Sequence, residues 1–156
     1  MDPQQFQALI SGVTATLAGK PLTPALADVL NARHGPGSQT YRTIESACRQ
    51  GMAAGWMCSR EAGGIRYGRV VKPSPETHGF SVDVVHMRDI AGPHHSHPHG
   101  EVDLLLPLAG GARFDGHDAG WCVYSPGSAH HPTVTGGDAL VLYLLPQGAI
   151  EFTRDA

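Results

Sequence analysis

Apolar positions along this chain follow two rhythms, and the rhythm changes once. Through Arg60 they recur at helical spacing. Phe6, Leu9, Ile10, Val13 and Leu17 form the first such stripe. Thr23-Pro24 reads as a cap and first-turn pair for a second helix carrying Leu26, Val29 and Leu30, with Gly35 as its stop. Ser38 is placed to cap a third helix with Tyr41, Ile44, Cys48 and Met52 on one face, and Gly51 and Gly55 weaken its end.

The pattern switches at Glu61-Ala62-Gly63-Gly64. From there short β-type runs alternate with Gly/Pro turns. The predicted strands are Ile65–Val71, Phe80–Arg88, Val102–Leu108, Ala112–Phe114, Trp121–Tyr124 and Ala139–Leu145, with a short run near Ile150–Phe152. Gly110-Gly111 and Gly136-Gly137 are the clearest tight corners. Many short strands separated by turns predict a mainly β sandwich or barrel over residues 61–156, preceded by a helical extension over 1–60.

Composition narrows the class. At 156 residues and 41% hydrophobic content the chain suits one globular domain. A net charge of −3 argues against a phosphate-binding surface. The helices invite a helix-turn-helix reading, but five basic residues (Lys20, Arg33, Arg42, Arg49, Arg60) against three acids (Asp2, Asp28, Glu45) make no basic stripe. Barrel capping or subunit contact is the expected role, so a homo-oligomer is expected and a nucleic-acid partner is not. No apolar run spans a membrane, and MDPQQFQ lacks a basic, apolar signal segment, so a cytoplasmic location is expected. Cys48, Cys58 and Cys122 lack any C-x-x-C spacing and are expected as reduced, buried thiols.

Histidine placement carries the chemistry. Six of the ten histidines lie in two stretches, GPHHSHPHGE at Gly92–Glu101 and PGSAHHP at Pro126–Pro132. His95, His97 and Glu101 form an H-x-H-x3-E spacing, and neutral imidazole and carboxylate are ligands for divalent transition metals. His95, His97, His99, Glu101 and Asp103 share one parity along an extended segment, while Pro98 and Gly100 bend its path. A further ligand is offered downstream by His130 or His131. His94 and His131 read as outer or surface groups, and His99 as a neighbour of the site or a replacement ligand. His117, in DGHDAG, reads as a solvated turn residue, and His34, His78 and His86 have no partner motif.

The H-x-H-x3-E spacing, followed by G-x5-P-G-x2-H at Gly120–His130, resembles the two motifs of the cupin family. The resemblance implies a jelly-roll barrel holding one divalent metal ion per subunit on His95, His97, Glu101 and His130. Gly92 stands closer to His95 than the family pattern has it, and no residue separates Pro126 from Gly127. A narrower resemblance, carried by CSREAGGIRYGRVVKPSPETHGFSVDVVHM, HHSHPHGEVDLLLPL and GSAHHPTVTGGDALVLYLLPQGAIEF, is to bacterial 4-hydroxylaminobenzoate lyases of nitroaromatic degradation. It implies conversion of 4-hydroxylaminobenzoate to 3,4-dihydroxybenzoate and ammonia. That reaction balances with one water and no oxidant, so the metal would act as a Lewis acid. Iron, manganese, zinc, cobalt and nickel all suit the ligands. Two other readings are an Fe(II)-dependent cupin dioxygenase on an aromatic or thiol substrate and a non-catalytic cupin regulator.

The lyase reaction needs a general acid/base beside the metal. His99 is the nearest unassigned titratable group, followed by Asp103 and Tyr143. The substrate is an aromatic carboxylate, which a guanidinium matches bidentately. Arg66 and Arg69 are the first candidates, and Tyr124 is a candidate wall for the ring. Arg66 and Tyr67 point to opposite faces of their strand, so at most one of those two belongs inside.

Overall fold

A computed structural model describes residues 1–153. Three helices come first: α1 (Pro3–Leu17), α2 (Leu26–His34) and α3 (Gln39–Ala54). Asp2 caps α1 in a reciprocal capping box with Gln5, and Ser38 caps α3 by accepting from the Tyr41 amide. Thr23 does not cap α2. Ala25 holds that position without a side-chain bond, and the Thr23 and Pro24 carbonyls accept from the Leu26 and Ala27 amides in a turn ahead of the helix. No helix among the described residues is long and apolar enough to cross a membrane.

Among the described residues nine strands follow: β1 (Arg60–Ala62), β2 (Ile65–Val71), β3 (Phe80–Ala91), β4 (His95–His97), β5 (Glu101–Phe114), β6 (Gly120–Tyr124), β7 (Ser128–His130), β8 (Thr133–Pro146) and β9 (Glu151–Phe152). They pair antiparallel in two sheets, ordered β1-β2-β3-β8-β5-β6 and β7-β4-β9. This interleaved order is a jelly roll, as the cupin resemblance implies. The two runs expected at Val102–Leu108 and Ala112–Phe114 are one long strand. Its pairing with β8 slips between Gly110 and Arg113, opposite Gly137, so the chain turns the corner without leaving the ladder.

Period-2 alternation divides the larger sheet into two faces. Val82, Val84, Val102, Leu104, Leu106, Leu142 and Leu144 face outward and share one core with Phe6, Ile10, Val13, Leu30 and Ile44 of the helices. Burying each such side chain contributes roughly 1.5–3 kcal/mol, so the helices are part of the molecule's main core. Val85, Met87, Leu105, Cys122, Val141 and Tyr143 face inward with Phe114 and Val134. Glu101 and Asp103 share this inner face with Leu105, two residues apart in each case, and both are fully buried. The three cysteines are buried and unpaired in disulfides.

Candidate metal centre

The smaller sheet exists to hold histidines. β4 pairs with β7 in a register that sets His95 opposite His130 and His97 opposite Ser128. Neither strand has an apolar alternation, which is why pattern reading passed over both. Between β4 and β5 the chain turns through Pro98-His99-Gly100, and the Gly100 amide donates to the His97 carbonyl at 3.2 Å. Gly100 has φ +88°, and a Cβ there would lie 2.8 Å from the Tyr124 carbonyl oxygen. Glycine is therefore required for Glu101 to start β5 directly beneath the two histidines.

The result is a tight donor group. One ligand atom each from His95, His97, Glu101 and His130 lies within 4.8 Å of all the others. The Nε2 atoms of His97, His130 and His95 stand 2.9, 3.5 and 3.7 Å from the Glu101 carboxylate oxygens. The His95 and His130 Nε2 atoms are 3.1 Å apart. His95, His97 and Glu101 are essentially inaccessible to solvent. Yet His97 Nε2 and both Glu101 oxygens lack a hydrogen-bond partner of acceptable geometry. Unpaired buried polar atoms are costly, and a set of them aimed at one point is what a cation would satisfy. Burial alone would raise the Glu101 pKa, but the three imidazoles outweigh it and hold the carboxyl well below its usual range.

Outer contacts set the ring orientations. His130 Nδ1 meets Asp115 Oδ2 at 2.6 Å, and His97 Nδ1 meets Ser128 Oγ at 2.9 Å. Each leaves Nε2 turned toward the donor group. Burial lowers the His130 pKa, but hydrogen bonding to Asp115 and the Glu101 carboxylate raise it to about 9. Asp115 also accepts from the Tyr124 hydroxyl at 2.6 Å and the Thr133 amide at 2.9 Å. Neither Asp115 nor Ser128 was expected from sequence. The usable signal for Asp115 was an acid closing a strand just before a Gly turn, at φ +48°.

A cavity of about 740 Å³ opens beside this group, with His95 and Tyr143 at its inner wall and Arg69, Asp83, Ile150 and Phe152 among its outer residues. The candidate residues divide around it. Asp103 lies on the inner face two residues from Glu101, fully buried, with both carboxylate oxygens lacking a partner. Burial and the neighbouring Glu101 carboxylate hold its pKa well above the usual range. The Tyr143 hydroxyl is likewise buried and unpartnered, and its ring lies 6.0 Å from that of His95. Arg69 lines the cavity. Arg66 does not, because its strand position points the other way while Tyr67 faces in. Tyr124 is outside the lining too, its hydroxyl committed to Asp115. His99 is exposed in the turn, because Pro98 and Gly100 break the alternation that gave it the parity of His97 and Glu101.

Known proteins resemble this chain along most of its length. A family model described as PnbB: 4-hydroxylaminobenzoate lyase matches residues 8–152. A 4-hydroxylaminobenzoate lyase of Pseudomonas putida is 36% identical over 144 residues, covering 81% of this chain and 82% of the relative. Another from Nocardioides sp. (strain LMS-CY) is 35% identical over 132 residues, covering 79% and 78%. Among solved structures, an RmlC-like cupin protein from Ralstonia eutropha JMP134 aligns with TM-score 0.43 and 15% identity, over 56% of this chain and 59% of that one.

Proposed function

This chain belongs to the 4-hydroxylaminobenzoate lyase family, and from that premise we propose that its three-histidine, one-glutamate group is the centre at which 4-hydroxylaminobenzoate and water become 3,4-dihydroxybenzoate and ammonia. The observation that carries the assignment is the convergence of four donors, three of them buried, with His97 Nε2 and both Glu101 oxygens lacking a hydrogen-bond partner of acceptable geometry, beside a largely apolar cavity. The donor set fits one divalent ion per subunit, held by His95, His97, Glu101 and His130; imidazole and carboxylate suit iron, manganese, zinc, cobalt or nickel. When bound, such an ion supplies Lewis acidity, and the balanced reaction asks no redox change of it.

The chain's own groups supply the rest. Ile65, Val85, Met87 and Ile150 give the ring an apolar wall that excludes bulk water. Asp103 and Tyr143 are the proton-handling candidates, since each keeps an uncommitted polar atom on the inner face. Directly paired across β5 and β8, they share one side of the sheet. A buried carboxyl and a phenol side by side on the sheet can take up and return a proton for a substrate bound at Tyr143, without admitting solvent. His99 and Tyr124 have no such position.

The test is turnover of 4-hydroxylaminobenzoate by metal-loaded protein under nitrogen, with ammonia and 3,4-dihydroxybenzoate both quantified. Equal amounts of the two products are expected. Turnover that yields dihydroxybenzoate only when O2 is supplied would overturn the lyase reading.

A further inference from the structure

A row of polar side chains crosses the inner face of the sheet. Arg69 on β2 is paired in register with Asp83 on β3, Asp83 with Tyr143 on β8, and Tyr143 with Asp103 on β5. Directly paired residues of antiparallel strands project from the same side, so these four groups form one line. Strands lie about 4.8 Å apart, which places the Arg69 and Tyr143 backbones roughly 10 Å from each other. Arg69, Asp83 and Tyr143 all line the cavity, as does His95 of the donor group.

Arg69 sits in a built seat. Its Nε donates to Asp83 Oδ1 at 2.8 Å and its Nη2 to Asp83 Oδ2 at 3.2 Å, a two-point fork. Nη2 also donates to the Gly148 carbonyl at 3.2 Å. Gly148 has φ +69°, and a Cβ on it would come within 2.6 Å of Arg69 Nη1. The turn after β8 is thus shaped around the guanidinium. A guanidinium has five N–H donors, so these three bonds leave donors over. Arg60 also lines the cavity but stands on the exposed edge strand β1.

Resting on the lyase reading, we propose that Arg69 is the specificity-determining residue for the ring carboxylate, and that Asp83 is its positioning residue. The substrate lies along the row with its carboxylate on Arg69 and its para substituent toward His95 and Tyr143. Asp83 and the Gly148 carbonyl fix the guanidinium plane, so the substrate pays little to order it. A lysine at this place has no plane to fix and cannot make the same fork.

Affinity for an unreactive probe separates this proposal from the reaction itself. Binding of 4-aminobenzoate and of its neutral analogue 4-aminobenzamide would be titrated calorimetrically to the wild type, Arg69→Gln, Arg69→Lys and Asp83→Asn, each checked for an unchanged melting temperature. A charge-assisted bond of the usual strength predicts that the wild type prefers the carboxylate by roughly 10- to 100-fold. Arg69→Gln should abolish that preference, Arg69→Lys should not restore it, and Asp83→Asn should reduce it. In turnover, Arg69→Gln should act mainly on KM. A folded Arg69→Gln protein that keeps the full preference, or a Lys variant that binds the carboxylate as the wild type does, overturns the assignment. A wild type that binds 4-aminobenzoate selectively but turns over no 4-hydroxylaminobenzoate would instead refute the lyase reading and leave the role of Arg69 standing.

Discussion

Asp115 Oδ2 and His130 Nδ1 lie 2.6 Å apart, and this contact decides which imidazole nitrogen faces the other donors. An ionised carboxylate only accepts, so Nδ1 keeps its proton and Nε2 is the nitrogen turned toward the other donors, where a metal ion would replace its proton. Burial would raise the Asp115 pKa, but the His130 and Tyr124 hydrogen bonds outweigh it and lower it. Asp115→Ala should therefore weaken metal binding about 10- to 100-fold. Tyr124→Phe, which leaves the Asp115–His130 contact in place, should weaken it less. Competition against a chromogenic chelator measures both; equal affinity in Asp115→Ala and wild type would refute the orienting role.

Metal content follows the donor group and not the histidine-rich stretch as a whole. His95→Ala and His130→Ala should lower the metal-to-subunit ratio, since each removes one of four converging ligands. His99→Ala, exposed in the turn, should keep it. Elemental analysis after dialysis decides the matter. Full retention in both ligand variants would mean that the metal sits elsewhere.

Three members of the donor group were legible because their spacing is local: His95, His97 and Glu101 fall within one turn and its flanking strands. The helix stripes and most strands were legible for the same reason, since a single element's burial repeats at its own period. What the pattern could not carry was pairing across the fold. Asp115 meets His130 only because β5 follows β8 around the corner at Gly110 and ends beside Val134. His99 shared the parity of the ligands in an extended chain, and the turn at Gly100 removed it. Arg69 could be separated from Arg66 only by knowing which face of β2 looks inward.

Gly100→Ala tests whether that turn is indispensable. The substitution forces a side chain onto φ +88° and sets a Cβ 2.8 Å from the Tyr124 carbonyl oxygen and 2.9 Å from Leu22 Cδ1. Backbone strain of this kind costs on the order of 1–3 kcal/mol, and at this chain length each kcal/mol lowers Tm by about 2–4 °C. Gly111→Ala, where a Cβ meets nothing within 4 Å, is the control and should melt close to wild type. Equal Tm values for the two variants would remove the turn from the account.

The buried thiols set an alkaline limit. Burial pushes Cys58 up to about 11 and Cys122 up to about 12, from 9.0. Unfolded thiols ionise near pH 9, so above that the unfolded chain holds fewer protons than the folded one. Stability from this source is fully present below about pH 9 and is lost as pH rises toward 11–12. Urea midpoints should fall between pH 8.5 and 10.5. At pH 8 the native protein should resist a thiol reagent that titrates all three cysteines once the chain is unfolded. Rapid native labelling would show that the helical layer over Cys48 and Cys58 opens readily.

Oxygen should be irrelevant to turnover. The substrate plus one water contains every atom of 3,4-dihydroxybenzoate and ammonia, so no electron acceptor enters the balance. The donor group, three imidazoles and one carboxylate, accepts redox-inert ions as readily as iron. A strong chelator should abolish activity, and adding back a divalent metal should restore it. If zinc restores it as well as iron does, redox cycling is excluded by direct comparison. Rates measured in air and under nitrogen should agree, with one ammonia released for each dihydroxybenzoate. Activity restored by iron alone and only in air would move the centre from Lewis-acid chemistry to dioxygen chemistry, and the stoichiometric argument would fail with it.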